Sequence, residues 1–192
     1  MIFEENNKEY FLQTSPLSSP EELRKGLWLV MAGIDSIPPH IALISEGKYF
    51  SVSAKKVEVA APIENFLKAI SRKTVPTLFI NIHEKSPLKG RFRGAGEAFS
   101  YPTLGNGPHS CLWPVRDFFA QTFSENFSKT EFVFELLAMA KKDNLILECK
   151  SLFIPSGSNN PILTQGEGRV RLMKYTKDQI REKINSILKV NE

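Results

Sequence analysis

Two cysteines, Cys111 and Cys149, and three histidines, His40, His83 and His109, are all the thiols and imidazoles of this chain. A disulfide framework needs more thiols than that, so both cysteines are expected to be free. A zinc centre needs closely spaced ligand pairs, and Cys111 with His109 lacks a second pair. No metal or other cofactor is expected. No stretch approaches the ~18–20 consecutive apolar residues that span a bilayer. The opening segment MIFEENNKEYFLQTSP carries acidic residues early and has no apolar core of a secretory signal. A cytoplasmic protein with no integral membrane segment is therefore expected. Charge of one sign is scarce too. The net charge of +4 is mild, and no basic run alternates with aromatics to make a stacking platform. Nucleic acid is not an expected partner.

What remains is an ordinary globular composition, 42% hydrophobic and 24% charged, over 192 residues. That suits one α+β domain spanning 1–192, with a core over about 20–175 and a C-terminal amphipathic helix over 176–192. Ser19-Pro20 followed by Glu21 and Glu22 is a helix start, and LWLVMAG behind it has the composition of a buried strand. HIALISEGKYFSVSAKKVEV, beginning at His40, reads as two strands about a Glu46-Gly47 turn. Ile63, Phe66, Leu67 and Ile70 fall at helical spacing, and TVPTLFINI is a short buried strand. Lys85 to Gly107 reads as a long loop, with a short helix about GEAF. SKTEFVFELLAMAKKDN reads as a helix capped by Ser128. LILECKSLFI reads as a strand pair or one bent strand holding a core Cys149, RVRLMKY as a strand, and Thr176 as the cap of the closing helix.

The chemistry concentrates in GNGPHSCLWPVRDFFAQTF, which runs from Gly105 to Phe123. Glycine and proline mark a loop, and Leu112, Val115, Phe119 and Phe123 mark a buried helical stripe. Cys111 falls where the loop becomes the helix. The free N–H groups and partial positive charge of a helix N-terminus stabilise a thiolate, and a nearby histidine can take its proton. Pro114 sits in the first turn, where its missing N–H costs nothing. The backbone N–H of Cys111 itself could form half of an oxyanion hole. His40 opens an apolar strand and shares a face with Ala42 and Ile44. With Glu46 and Gly47 as the central turn residues, Ser53 stands opposite His40; a slip by one residue puts Ser51 there instead. Either hydroxyl could orient the imidazole, as the third member of a catalytic triad does. His109 and Trp113, on either side of Cys111, are candidates for substrate contact.

The simplest alternatives stand beside this reading. Cysteine is often just a small buried hydrophobe, and His40 alone would be a strand-end histidine. His83 would be solvated at a strand end. Glu46, Lys55, Lys56 and Glu58 would form a wet hairpin face, although Glu58 could reach a site in a bent sheet. Arg91 and Arg93 would belong to a solvated loop.

The order of the two motifs, HIALISEGKYFSVS before HSCLWPVRDFF, resembles the circularly permuted papain-like proteins. That superfamily includes the lecithin retinol acyltransferase-like enzymes and permuted relatives of bacterial NlpC-type cell-wall peptidases. The resemblance covers about Gly26 to Phe123. It implies a papain-like, circularly permuted α+β fold whose antiparallel sheet packs against the nucleophile helix. It also implies Cys111 as nucleophile, His40 as base and Ser53 or Ser51 at the third position. The expected activity is that of a cysteine hydrolase or acyltransferase cutting an amide, ester or thioester in a small peptide, amide or acyl-lipid substrate. The alternative is an inert peptide- or lipid-binding module on the same fold.

Overall fold

The structure is a computed structural model that describes residues 3–5, 9–53, 56–83, 110–154, 165–166 and 168–182. The Lys85–Gly107 loop with Arg91 and Arg93, its GEAF segment, His109 and most of the closing helix lie outside the described residues. The chain runs through β1 (Phe3–Glu5), β2 (Glu9–Gln13), β3 (Ser15–Pro16) and a 3-10 turn (Pro20–Arg24). It continues through β4 (Leu27–Ala32), β5 (His40–Ser45), β6 (Lys48–Val52), β7 (Val57–Pro62), α1 (Ile63–Lys73) and β8 (Thr77–Ile82). Then come α2 (Leu112–Thr122), a second 3-10 turn (Glu125–Lys129), α3 (Val133–Lys142), β9 (Ile146–Leu152), β10 (Gln165–Gly166) and β11 (Arg169–Met173).

The α+β class holds. A seven-stranded sheet runs in the order β3-β9-β8-β4-β5-β6-β7. All its neighbours are antiparallel except β3 and β9, which are parallel, so the sheet is mixed. A four-stranded sheet, β1-β2-β11-β10, joins the two ends of the chain. Among the described residues no helix is long and apolar enough to cross a membrane.

Alternation along the strands divides the core in two. Ile41 and Leu43 of β5, with Leu29 and Met31 of β4, face α2 and α3. Ala42 and Ile44, with Trp28 and Val30, face Ile63, Phe66 and Ile70 of α1. β4 is buried at all six positions because both faces are covered, and its sequence is accordingly a continuous apolar run. In α2, Leu112, Val115, Phe118 and Phe119 are buried. Phe119 meets Phe127 edge to face, with ring centroids 5.3 Å apart. Each such burial contributes roughly 1.5–3 kcal/mol.

Several expectations change in detail. Ser19-Pro20 starts only a 3-10 turn, complete with a Ser19/Glu22 capping box, because Gly26 at φ +75° turns the chain directly into β4. The stretch after the hairpin is a third strand, β7, not the end of the second. Ser128 does not cap α3: its hydroxyl donates to the Glu125 carbonyl at 2.7 Å within the 3-10 turn. The helix begins at Val133 instead, and Glu135 reaches back to accept from the N–H groups of Glu131 and Phe132 at 2.7 and 3.1 Å. LILECKSLFI is one strand. Thr176 does cap a helical segment over 177–182, accepting from the Gln179 N–H at 3.3 Å.

Candidate active site

The β5–β6 hairpin turns at Glu46 and Gly47 with φ of +50° and +71°, the left-handed pair of a two-residue hairpin turn. Ser45 therefore pairs with Lys48 and Ala42 with Ser51. Continued by two residues, that register sets His40 level with Ser53. The hydroxyl of Ser53, however, serves the next turn: it accepts from the Lys56 N–H at 3.0 Å and donates to the Lys56 carbonyl at 2.9 Å. Ser51 is 2% exposed and lies between Ala42 on β5 and Glu58 on β7.

The residue that meets the imidazole is Tyr49. Its hydroxyl lies 3.3 Å from His40 Nε2. Tyr49 sits two residues before Ser51 on the same face of β6, and its ring leans along the strand to reach the start of β5. Stacking on Phe66 of α1 fixes that ring, at 4.4 Å between centroids and 13° between planes. Nothing in the pairing register points to this contact, since Tyr49 pairs with Ile44. Only the length of the side chain makes it.

Cys111 is the N-cap residue of α2. Its sulfur lies against the backbone on both sides of His40: it accepts from the Ile41 N–H at 3.4 Å and faces the Pro39 carbonyl at 3.9 Å. Residues 70 positions apart are thus joined at the first residue of β5. Among the described residues no hydrogen bond links the Cys111 sulfur to the His40 ring. Strand alternation sends Ile41 toward the side covered by α2 and the imidazole toward Tyr49.

Electrostatics at the two groups agree with each other. Burial is the largest influence on Cys111 and raises its thiol pKa. The N–H groups of Ile41, Cys111 and Leu112 and the Ser110 hydroxyl act in the opposite direction. Burial likewise lowers the pKa of His40, against the upward pull of the Glu58 carboxylate. Both shifts disfavour charge, so the thiol and the imidazole each rest neutral. Burial holds Tyr49 protonated, and a negative charge on Cys111 adds to that rise.

Around α2's first turn, Ser110 accepts from the Leu112 N–H at 3.2 Å. Sequence reasoning passed over this capping role, although a serine just before a helix is its usual signal. Trp113 is half-buried, with the Arg116 guanidinium 5.2 Å above its ring. Arg116 is paired in turn with Asp117 at 2.9 Å. His109 lies outside the described residues. His83 is exposed, as expected.

Compared with known proteins, the chain matches no family model, no curated protein and no solved structure.

Proposed function

We propose that the protein is a thiol-dependent acyl-transfer enzyme, a cysteine hydrolase or acyltransferase, on a papain-like, circularly permuted fold. Cys111 is the nucleophile and His40 the base. The observation that carries the reading is the seat of the Cys111 sulfur at a helix N-terminus, against the backbone that flanks His40 on both sides. The neutral resting pair supports general-base attack over a preformed thiolate–imidazolium pair. As the sulfur–carbon bond forms at the acyl carbonyl, the S–H proton passes to the imidazole, whose ring swings from Tyr49 toward the sulfur to take it. The imidazolium returns it to the departing amine, alcohol or thiol. Water or another acceptor then cleaves the acyl-enzyme. The donors around the sulfur, including the Cys111 N–H, are placed to stabilise charge developing on the reacting atoms. The substrate class is a small peptide, amide or acyl lipid in the cytoplasm.

The depth of Cys111, 9% exposed, favours a second reading, an inert peptide- or lipid-binding module on the same fold. An activated acyl ester or thioester separates the two, with the adduct located by intact and peptide mass. In a Cys149→Ser background one acyl group is expected on Cys111, turning over with time and absent in Cys111→Ala. His40→Ala should slow its formation about 10²–10⁴-fold. Because burial lowers the pKa of His40, its basic form persists below pH 6.5, and acylation should rise with a midpoint under about 6.5. An unmodified Cys111 across the pH range, in a protein that still binds such ligands, would establish the inert module.

A further inference from the structure

Three central strands end level with one another. Ala32, the last residue of β4, pairs with Thr77 at the start of β8, and Thr77 with Leu152 at the end of β9. Beyond them a groove of about 660 Å³ opens to solvent, walled by the turn that leaves β4, the end of α1 and the exit of β9. That volume is in the usual range of small-molecule sites, roughly 300–1,000 Å³. Ala32 also pairs with His40, so the groove lies at the same end of the sheet as the seat of Cys111, without including it.

Backbone bonds hold its walls. The Pro76 carbonyl accepts from the N–H groups of Gly33 and Ile34 at 2.9 and 3.2 Å, which ties the turn after β4 to the segment after α1. The Ser36 N–H donates to the Gly33 carbonyl at 2.8 Å and closes that turn. The Thr74 N–H caps α1 on the carbonyls of Ile70 and Ser71. Thr74 and Phe153 line the groove with φ of +49° and +57°. That region is costly for a β-branched or bulky side chain, and such conformations gather at ligand sites.

Charge of both signs enters from different walls. A Cβ on Gly33 would stand 3.7 Å from Ser36 Oγ and 4.0 Å from Asp35 Oδ1, so a hydroxyl and a carboxylate converge over that glycine. Lys73 comes from the last turn of α1. Among the described residues neither Asp35 nor Lys73 has an ion-pair partner. Val75, Phe153 and Ile154 add apolar surface. A ligand of one charge would leave the other wall unanswered, and a single amino acid would leave much of the volume empty. We propose that this groove binds a short apolar peptide with free termini, its ammonium at Asp35 and Ser36 and its carboxylate at Lys73. The site is separate from Cys111 and does not rest on thiol chemistry.

The test is a ¹H–¹⁵N shift titration of the whole chain with the dipeptide leucyl-phenylalanine, repeated with its N-acetyl and C-terminal amide derivatives. The amides of Gly33, Ser36, Thr74 and Phe153 should move and saturate in the millimolar range. Acetylation and amidation should each weaken binding about two- to fivefold, the scale of a solvated ion pair. In Asp35→Asn the free and acetylated peptides should bind alike, and in Lys73→Met the acid and the amide should. Both side chains are exposed, so both variants should keep the fold. Groove amides that do not move, or a preference for free termini that survives in both variants, overturn the proposal. Cys111→Ala should bind the dipeptide as the wild type does. Loss of binding in that variant would put the peptide at the sulfur and overturn the groove, whereas acylation of Cys111 succeeds or fails independently.

Discussion

Cys111 and Cys149 are both free, both buried and both on the side of the sheet that α2 and α3 cover, yet their surroundings differ. Cys149 lies within β9, opposite Ile80 on β8. Burial, and after it the Glu148 carboxylate, pushes its thiol up to about 12. Cys111 is also raised by burial, but three backbone N–H groups and a hydroxyl work against the rise. Depth alone does not separate a structural thiol from a reactive one. The separation lies in the donors waiting around the sulfur, and a helix N-terminus beside a strand end brings several of them together.

The largest test of that contrast is native-state labelling. A small alkylating agent near pH 8.5 should modify Cys111 at least about 100-fold faster than Cys149, which must wait for the β8–β9 ladder to open. Equal rates, read by peptide mass, would abolish the distinction. A smaller effect is expected from serine at each position. Cys149→Ser buries a hydroxyl in an apolar ladder and should cost about 1–3 kcal/mol in urea unfolding. Cys111→Ser meets donors already in place and should cost less than about 1 kcal/mol. If the two losses are equal, the donors at Cys111 do not engage the side-chain atom.

The smallest effect belongs to Ser45. It is 1% exposed and its hydroxyl has no hydrogen-bond partner among the described residues. An unmade buried hydrogen bond already weighs against the native state, so Ser45→Ala should leave stability unchanged or raise it by up to about 1 kcal/mol. A clear loss in the same unfolding assay would reveal a bound water as the missing partner.

The sequence made the hairpin legible because Glu46-Gly47 marks a tight turn; a slip of one residue stayed open, and the turn as formed fixes the register from Ser45 and Lys48 outward. The stripes Ile63, Phe66, Ile70 and Leu112, Val115, Phe119 likewise follow directly from helical spacing. Short elements were hidden. β1, β2 and β3 hold five residues or fewer and gain order from partners that local pattern does not name. The 3-10 turn at Pro20–Arg24 carries every signal of a helix start, and only the turn at Gly26 shortens it. At the site, Cys111 and His40 could be singled out by residue type and position. Tyr49 could not, because its contact with His40 runs diagonally along the sheet and depends on a ring propped by Phe66. From the sequence, Glu58 is a residue that a bent sheet could bring to the site. Its influence on His40 comes from its place opposite Ser51 on a strand that the sequence did not separate from the hairpin.

The pairing of β2 with β11, in which Leu12 meets Val170 and Tyr10 meets Leu172, bears on how the chain is made. Both of those β2 residues are buried in the larger core, but their partners lie on the last strand among the described residues. At about 5–20 residues per second, β2 leaves the ribosome roughly 8–30 seconds before β11 exists. During that interval Tyr10, Phe11 and Leu12 form an apolar strand with one edge unpaired, and closing it means joining segments about 160 residues apart. Until β11 is made, the edge of β2 that it covers has no native partner.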